Sequence, residues 1–136
     1  MRYIGLDVGT KRIGIAVSDA LNMTAQGLES YNVTGDDEQD IDYIIELAKQ
    51  YQPITYVMGL PRNMNGTYGP MSEKIKVFGA RLEEKSGNKV IFWDERLTTV
   101  SAERMLVGAD VSRKKRRKVV DKIASVLILQ SYIDGI

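Results

Sequence analysis

Tyr3-Ile4-Gly5-Leu6-Asp7-Val8-Gly9-Thr10-Lys11-Arg12-Ile13-Gly14-Ile15-Ala16-Val17-Ser18 is the stretch on which the fold turns. Aliphatic and β-branched residues alternate with Gly and Ala on both sides of Gly9-Thr10-Lys11, the pattern of a strand, a tight turn and a second strand. In the first strand Ile4, Leu6 and Val8 share one face, and Tyr3, Gly5 and Asp7 share the other. A carboxylate therefore sits mid-strand behind an apolar face, where an unpaired charge costs on the order of several kcal/mol. It calls for a metal ion or an arginine. Glycines at 5, 9 and 14 remove side chains from around it, as the close approach of a ligand requires. The hairpin is expected to floor an active site.

Downstream, Gly27 to Val33 supplies a third antiparallel strand with weaker alternation, completing a meander. Asp36 followed by Gln39 resembles a capping box, and Ile41, Ile44, Ile45 and Ala48 recur at helical spacing, so a helix is expected to run to about Tyr51 before Pro53. Ile54 to Leu60 is a nearly continuous apolar run, as in a strand buried on both faces. A polar, glycine-rich loop spans Pro61 to Pro70. Met71, Ile75, Phe78 and Leu82 then mark a second helix that Gly87 can close. Lys89 to Asp94 is a fifth strand, and Ser101 to Val107 a short helix. Val119 to Ile133 is apolar around most of a helix and is expected to be buried, with Asp121 at its entrance. Right-handed crossovers set the fourth and fifth strands parallel to the first. The expected architecture is one α/β domain, residues 1–136, with a mixed five-stranded sheet flanked by helices.

At 136 residues the chain can bury a core unaided, and it contains neither cysteine nor histidine. Thiol nucleophiles, Ser/His/Asp triads and His- or Cys-based zinc sites are excluded. Catalysis is left to carboxylate, lysine, tyrosine, or a hard cation held by oxygens. The apolar runs are short and broken by charge, so no membrane span and a cytoplasmic location are expected. The net charge of +1 conceals an asymmetry. Seven acids and no base lie between Glu29 and Glu46, whereas Arg96 to Lys122 holds nine bases against three acids. Such polarity suits a polyanion on one side of the molecule. The run Arg113-Lys114-Lys115-Arg116-Arg117-Lys118 opposes the helix macrodipole, so it is expected to be disordered until phosphates neutralise it. Lys11 and Arg12 in the hairpin, with Arg62, Asn63 and Asn65 in the long loop, offer further donors to phosphate or ribose. Tyr68 offers a face for a base.

Asp7, Asp121 and either Asp94 or Glu95 remain to be explained together. Alternation does not choose between the last two, since it groups Asp94 with Phe92 and Glu95 with Trp93. Strand ends and a packed helix can gather three such acids, which would repel one another without cations. Two divalent ions about 3.5–4 Å apart, the arrangement that hydrolyses phosphodiesters, would resolve the repulsion.

Gly5 to Asp19, Gly59-Leu60-Pro61, Asp94-Glu95-Arg96-Leu97-Thr98-Thr99, and Val120-Asp121-Lys122-Ile123-Ala124 with Ile128-Leu129-Gln130 resemble the bacterial YqgF family along essentially the whole chain. The resemblance implies a ribonuclease H-like fold, catalytic and metal-holding acids at Asp7, Glu95 and Asp121, and Mg²⁺ or Mn²⁺ as cofactor. It implies a nuclease maturing the 5′ end of pre-16S rRNA, acting with or near the ribosomal particle. The alternative is a resolvase of four-way DNA junctions, which would call for a symmetric homodimer where the RNA enzyme can be a monomer. A non-catalytic ribosome-assembly factor of the same fold is a further reading. Asp7-Val8-Gly9-Thr10 also resembles the phosphate-binding hairpin of actin-like ATPases, but those close two such domains over a nucleotide and this chain has one copy.

Overall fold

The computed structural model describes residues 1–61 and 69–94, and the helix 113–135 with its side chains from residue 122 onward. Residues 62–68, 95–112 and 136 fall outside the described residues, and with them Arg62, Asn63, Asn65, Tyr68, Glu95 and the short helix expected at Ser101 to Val107.

Alternating apolar residues make β1 (Arg2–Val8), β2 (Arg12–Ser18) and β3 (Ala25–Asn32) the expected meander. Helix α1 (Asp37–Ala48) and a 3-10 turn lead to β4 (Ile54–Leu60), followed by α2 (Pro70–Ser86), β5 (Val90–Asp94) and α3 (Arg113–Gly135). The sheet order is β3-β2-β1-β4-β5, which puts β1 in the centre. The first three strands pair antiparallel, while β4 pairs parallel with both β1 and β5. All seven residues of β4 are buried, as its unbroken apolar run requires.

Strand alternation divides the core into two layers. Ile4 and Leu6 of β1 face α1 and α2, packing with Ile41, Ile44, Ile75, Phe78 and Leu82. On the other face, Ala16 and Val57 meet Ile128, Leu129 and Ile133 of α3. Helix α3 is thus buried along one stripe, with Ser131 and Asp134 exposed, rather than around its circumference. It also starts earlier than its apolar run suggests. The basic residues from Arg113 to Lys118 form its first turns, in place of the disorder expected for them.

Asp36 caps α1 by accepting the Glu38 N–H at 3.0 Å. Buried Asp40 ties the preceding loop down, accepting from the Tyr31 hydroxyl (2.9 Å) and from the Thr34 N–H and hydroxyl (both 3.0 Å). Burial, then that hydrogen bond, pushes the Tyr31 hydroxyl pKa up to about 12. The acidic block does not simply face solvent. Arg81 of α2 bonds Asp37 and Glu38, and Lys85 reaches Glu38 at 2.9 Å and Asp42 at 2.6 Å. Those partners hold the Glu38 carboxyl below its ordinary pKa.

Tyr56 lies at 0 % exposure in the α1/α2 layer, and its hydroxyl has no hydrogen-bond partner among the described residues. Burial alone pushes its pKa up to about 12. A buried, unpaired hydroxyl costs about 1–3 kcal/mol, a cost that Phe does not carry. Tyr56→Phe is therefore expected to stabilise the protein by about 1 kcal/mol. Thermal melting checks this: a midpoint raised by about 3–6 °C is expected, and a lower one would show that the hydroxyl is paired in solution.

Candidate active site

Asp7 is the sixth residue of the central strand and lies on the α3 face, half-buried near the strand's C-terminal end. Its antiparallel partner is Gly14 of β2, and Gly14 in turn pairs with Ser30 of β3. On the other side the β1–β4 register ends at Leu6 beside Met58, so its next step sets Gly59 beside Asp7. Gly59 is the partner of Trp93 in β5. A row across the sheet thus reads Ser30, Gly14, Asp7, Gly59, Trp93, with the carboxylate between two residues that lack side chains. Sequence alternation identified Gly14; the tertiary pairing of parallel strands adds Gly59.

The other glycines serve different ends. A Cβ on Gly5 would lie 2.8 Å from the Leu129 Cβ and 3.1 Å from the Ser125 carbonyl oxygen, so Gly5 lets α3 sit directly on the sheet. Gly9 closes the hairpin, donating its N–H to the Arg12 carbonyl at 2.8 Å, and a Cβ there would meet that same oxygen at 2.9 Å. Their absence of side chains serves packing and the turn rather than ligand approach.

Helix α3 runs antiparallel to β1, since Tyr3 meets Tyr132 while Gly5 meets Leu129 and Ser125. From Ser125 one turn back to residue 121 is about 6 Å along the helix, and from Gly5 to Asp7 is about 7 Å along the strand. The backbone of residue 121 therefore comes level with Asp7. Asp121 is the ninth residue of α3 rather than its entrance, well beyond the first turn where an acid answers the macrodipole.

In β5, Trp93 contacts Ser131 and Tyr132 of α3, whereas Phe92 lies against Gly79 of α2. Asp94 follows Trp93 and so belongs to the face opposite Asp7. Arg12 opens β2 on the same face as Gly14, and Lys11 is exposed in the hairpin turn. The backbone of residues 113–116 forms the first turn of α3. Among the described residues no three acids stand together, and of the three expected catalytic acids the side chain of Asp7 alone is described.

A mixed five-stranded sheet of this order with helices on both faces is a ribonuclease H-like fold. A RuvC from T. thermophilus bound to a Holliday junction substrate superposes with a TM-score of 0.60 at 13% identity, covering 98% of this chain and 96% of that one. The RuvX family model, described as Holliday junction resolvase, matches residues 1–135, and the chain belongs to that family, also called YqgF. A protein of Halalkalibacterium halodurans named "Putative pre-16S rRNA nuclease" is 55% identical over 135 residues, spanning 98% of this chain and 96% of the relative. One of the same name from Bacillus cytotoxicus is 53% identical over 138 residues, spanning 99% of each. No described helix is long and apolar enough to cross a membrane.

Proposed function

We propose that this chain hydrolyses phosphodiester bonds in structured RNA, at the 5′ end of pre-16S rRNA, with Asp7, Glu95 and Asp121 as catalytic acids. The observation that carries this reading is Asp7 itself, half-buried on the central strand between Gly14 and Gly59, with α3 bringing residue 121 level with it. Asp94 belongs to the opposite face, which supports Glu95 as the acid contributed after β5.

The donor chemistry fits a hard divalent cation. The chain offers carboxylate oxygens without histidine or cysteine, the preference of Mg²⁺ or Mn²⁺, and the two glycines leave room for the waters such an ion keeps. Asp7, Glu95 and Asp121 would hold it, and when bound it supplies Lewis acidity and an acidified water. Lys11, Arg12, Arg62, Asn63 and Asn65 would contact phosphates and riboses near the cut. The first turns of α3, from Arg113 through Lys114, Lys115 and Arg116, would grip the backbone farther away by charge, without reading sequence.

The family description favours junction DNA, and the names of the relatives favour pre-rRNA. RNA is preferred here because those relatives share more than half of their residues with this chain, whereas the junction-bound structure shares 13%. The test offers an end-labelled pre-16S leader and a four-way DNA junction in parallel, with Mg²⁺, with Mn²⁺ and with chelator. Cleavage of the RNA that chelator abolishes is expected. Cleavage of the junction alone, by a species sedimenting as a dimer, would transfer the assignment to a resolvase. RNA bound but never cut would make the protein an assembly factor.

A further inference from the structure

The row that places Asp7 ends on the outermost strand at Trp93, the sole tryptophan of the chain. Two strand spacings, about 10 Å, separate the backbones of Asp7 and Trp93, and the residue between them is Gly59. A phosphate placed beside Asp7 by a bound cation would thus lie two strands from an aromatic residue, and Gly59 between them carries no side chain.

The ring is held in place without being fully buried. Its Nε1 donates to the Ser131 hydroxyl at 3.0 Å, and the Tyr132 ring meets it edge to face at 5.3 Å and 86°. Gly135 lies beside it, where a Cβ would stand in ordinary contact with the ring at 3.5 Å. The residue nevertheless stays half-exposed on an edge strand. A side chain already fixed by its neighbours loses little freedom when a ligand stacks on it. Every base has a π-face, so such a platform takes any unpaired base, whereas a base inside a duplex is already stacked.

We propose that Trp93 is a stacking platform for the base next to the cleaved phosphate, so that the site takes an unpaired nucleotide and not a continuous duplex. This rests on the nuclease reading above and narrows its substrate to single-stranded segments.

Because Trp93 is the sole tryptophan, its fluorescence reports on this one ring. The experiment uses the non-cleaving variant Asp7→Asn, titrated with a short fluorescein-labelled oligoadenylate RNA, single-stranded or annealed to oligouridylate. Anisotropy measures binding independently of tryptophan emission. Single-stranded RNA is expected to bind and quench the tryptophan, and the duplex to leave its emission unchanged. Adding Trp93→Leu should weaken single-strand binding about tenfold without changing its salt dependence, since stacking and phosphate contacts are separate contributions. Binding without quenching, equal quenching by the duplex, or unchanged affinity in a folded Trp93→Leu variant each overturns the platform while leaving the nuclease reading intact. Absence of binding to either RNA overturns both.

Discussion

Asp7→Asn is expected to abolish cleavage, with a loss of about three orders of magnitude or more in rate, while the protein melts at the same temperature or higher. The two effects share one cause. Asp7 would contribute a negative charge that a divalent cation uses, and the stabilisation of transition-state charge by such an ion amounts to several kcal/mol, each ~1.4 of which is tenfold in rate. The same charge is a burden to the metal-free protein if Glu95 and Asp121 converge on it, because like charges at close range disfavour one another. Asn keeps the shape and the hydrogen-bonding oxygen but removes the repulsion. Melting with and without Mg²⁺ separates these contributions, since an ion that binds the folded state raises the midpoint by mass action. The wild type should gain from Mg²⁺, and Asp7→Asn should not. A variant that still cuts RNA at the wild-type rate would remove Asp7 from the chemistry.

Gly5→Ala should cost about 2–3 kcal/mol and lower the melting midpoint by about 10 °C, although it adds only one methyl group. That methyl would stand 2.8 Å from the Leu129 Cβ and 3.1 Å from the Ser125 carbonyl oxygen. Neither atom can swing away on a rotamer, so α3 as a whole must lift from the sheet. Gly27→Ala is the control. Its Cβ would meet the Lys122 side chain, at 2.6 Å from Cε and 2.9 Å from Cγ, and an exposed lysine can move aside. Its cost should stay within about 0.5 kcal/mol. The lift in Gly5→Ala also displaces residue 121 relative to Asp7, and misplacement of about 1 Å can cost a hundredfold in rate. Activity of Gly5→Ala, assayed well below its midpoint, should therefore fall further than its folded fraction does. A variant that melts like wild type would show that α3 does not rest on Gly5.

Much of this was legible in the chain. The alternation of Ile4, Leu6 and Val8 with Tyr3, Gly5 and Asp7 assigns each to its layer, because a strand has only two faces. The spacing of Ile41, Ile44 and Ala48 does the same for α1, and the unbroken run of β4 announces burial on both sides. What stayed hidden depends on neighbours remote in sequence. Gly59 borders Asp7 only because β4 pairs in parallel with β1 across a whole helix. The acids of α1 read as a solvated block until Arg81 and Lys85, more than forty positions from Glu38, are brought against them.

Periodicity and the chemistry of single residue types thus determined the strands and helices and the position of Asp7 within its strand, since each is a local property of the chain, whereas the sheet order rests on pairing between strands remote in sequence. The start of α3 was not local, because its basic first turns conflict with the macrodipole. Nor was the choice at Asp94-Glu95, where a period of two offers two faces and no label for either. The packing of α3 against Trp93, a contact between residues 38 positions apart, puts Asp94 on the face opposite Asp7.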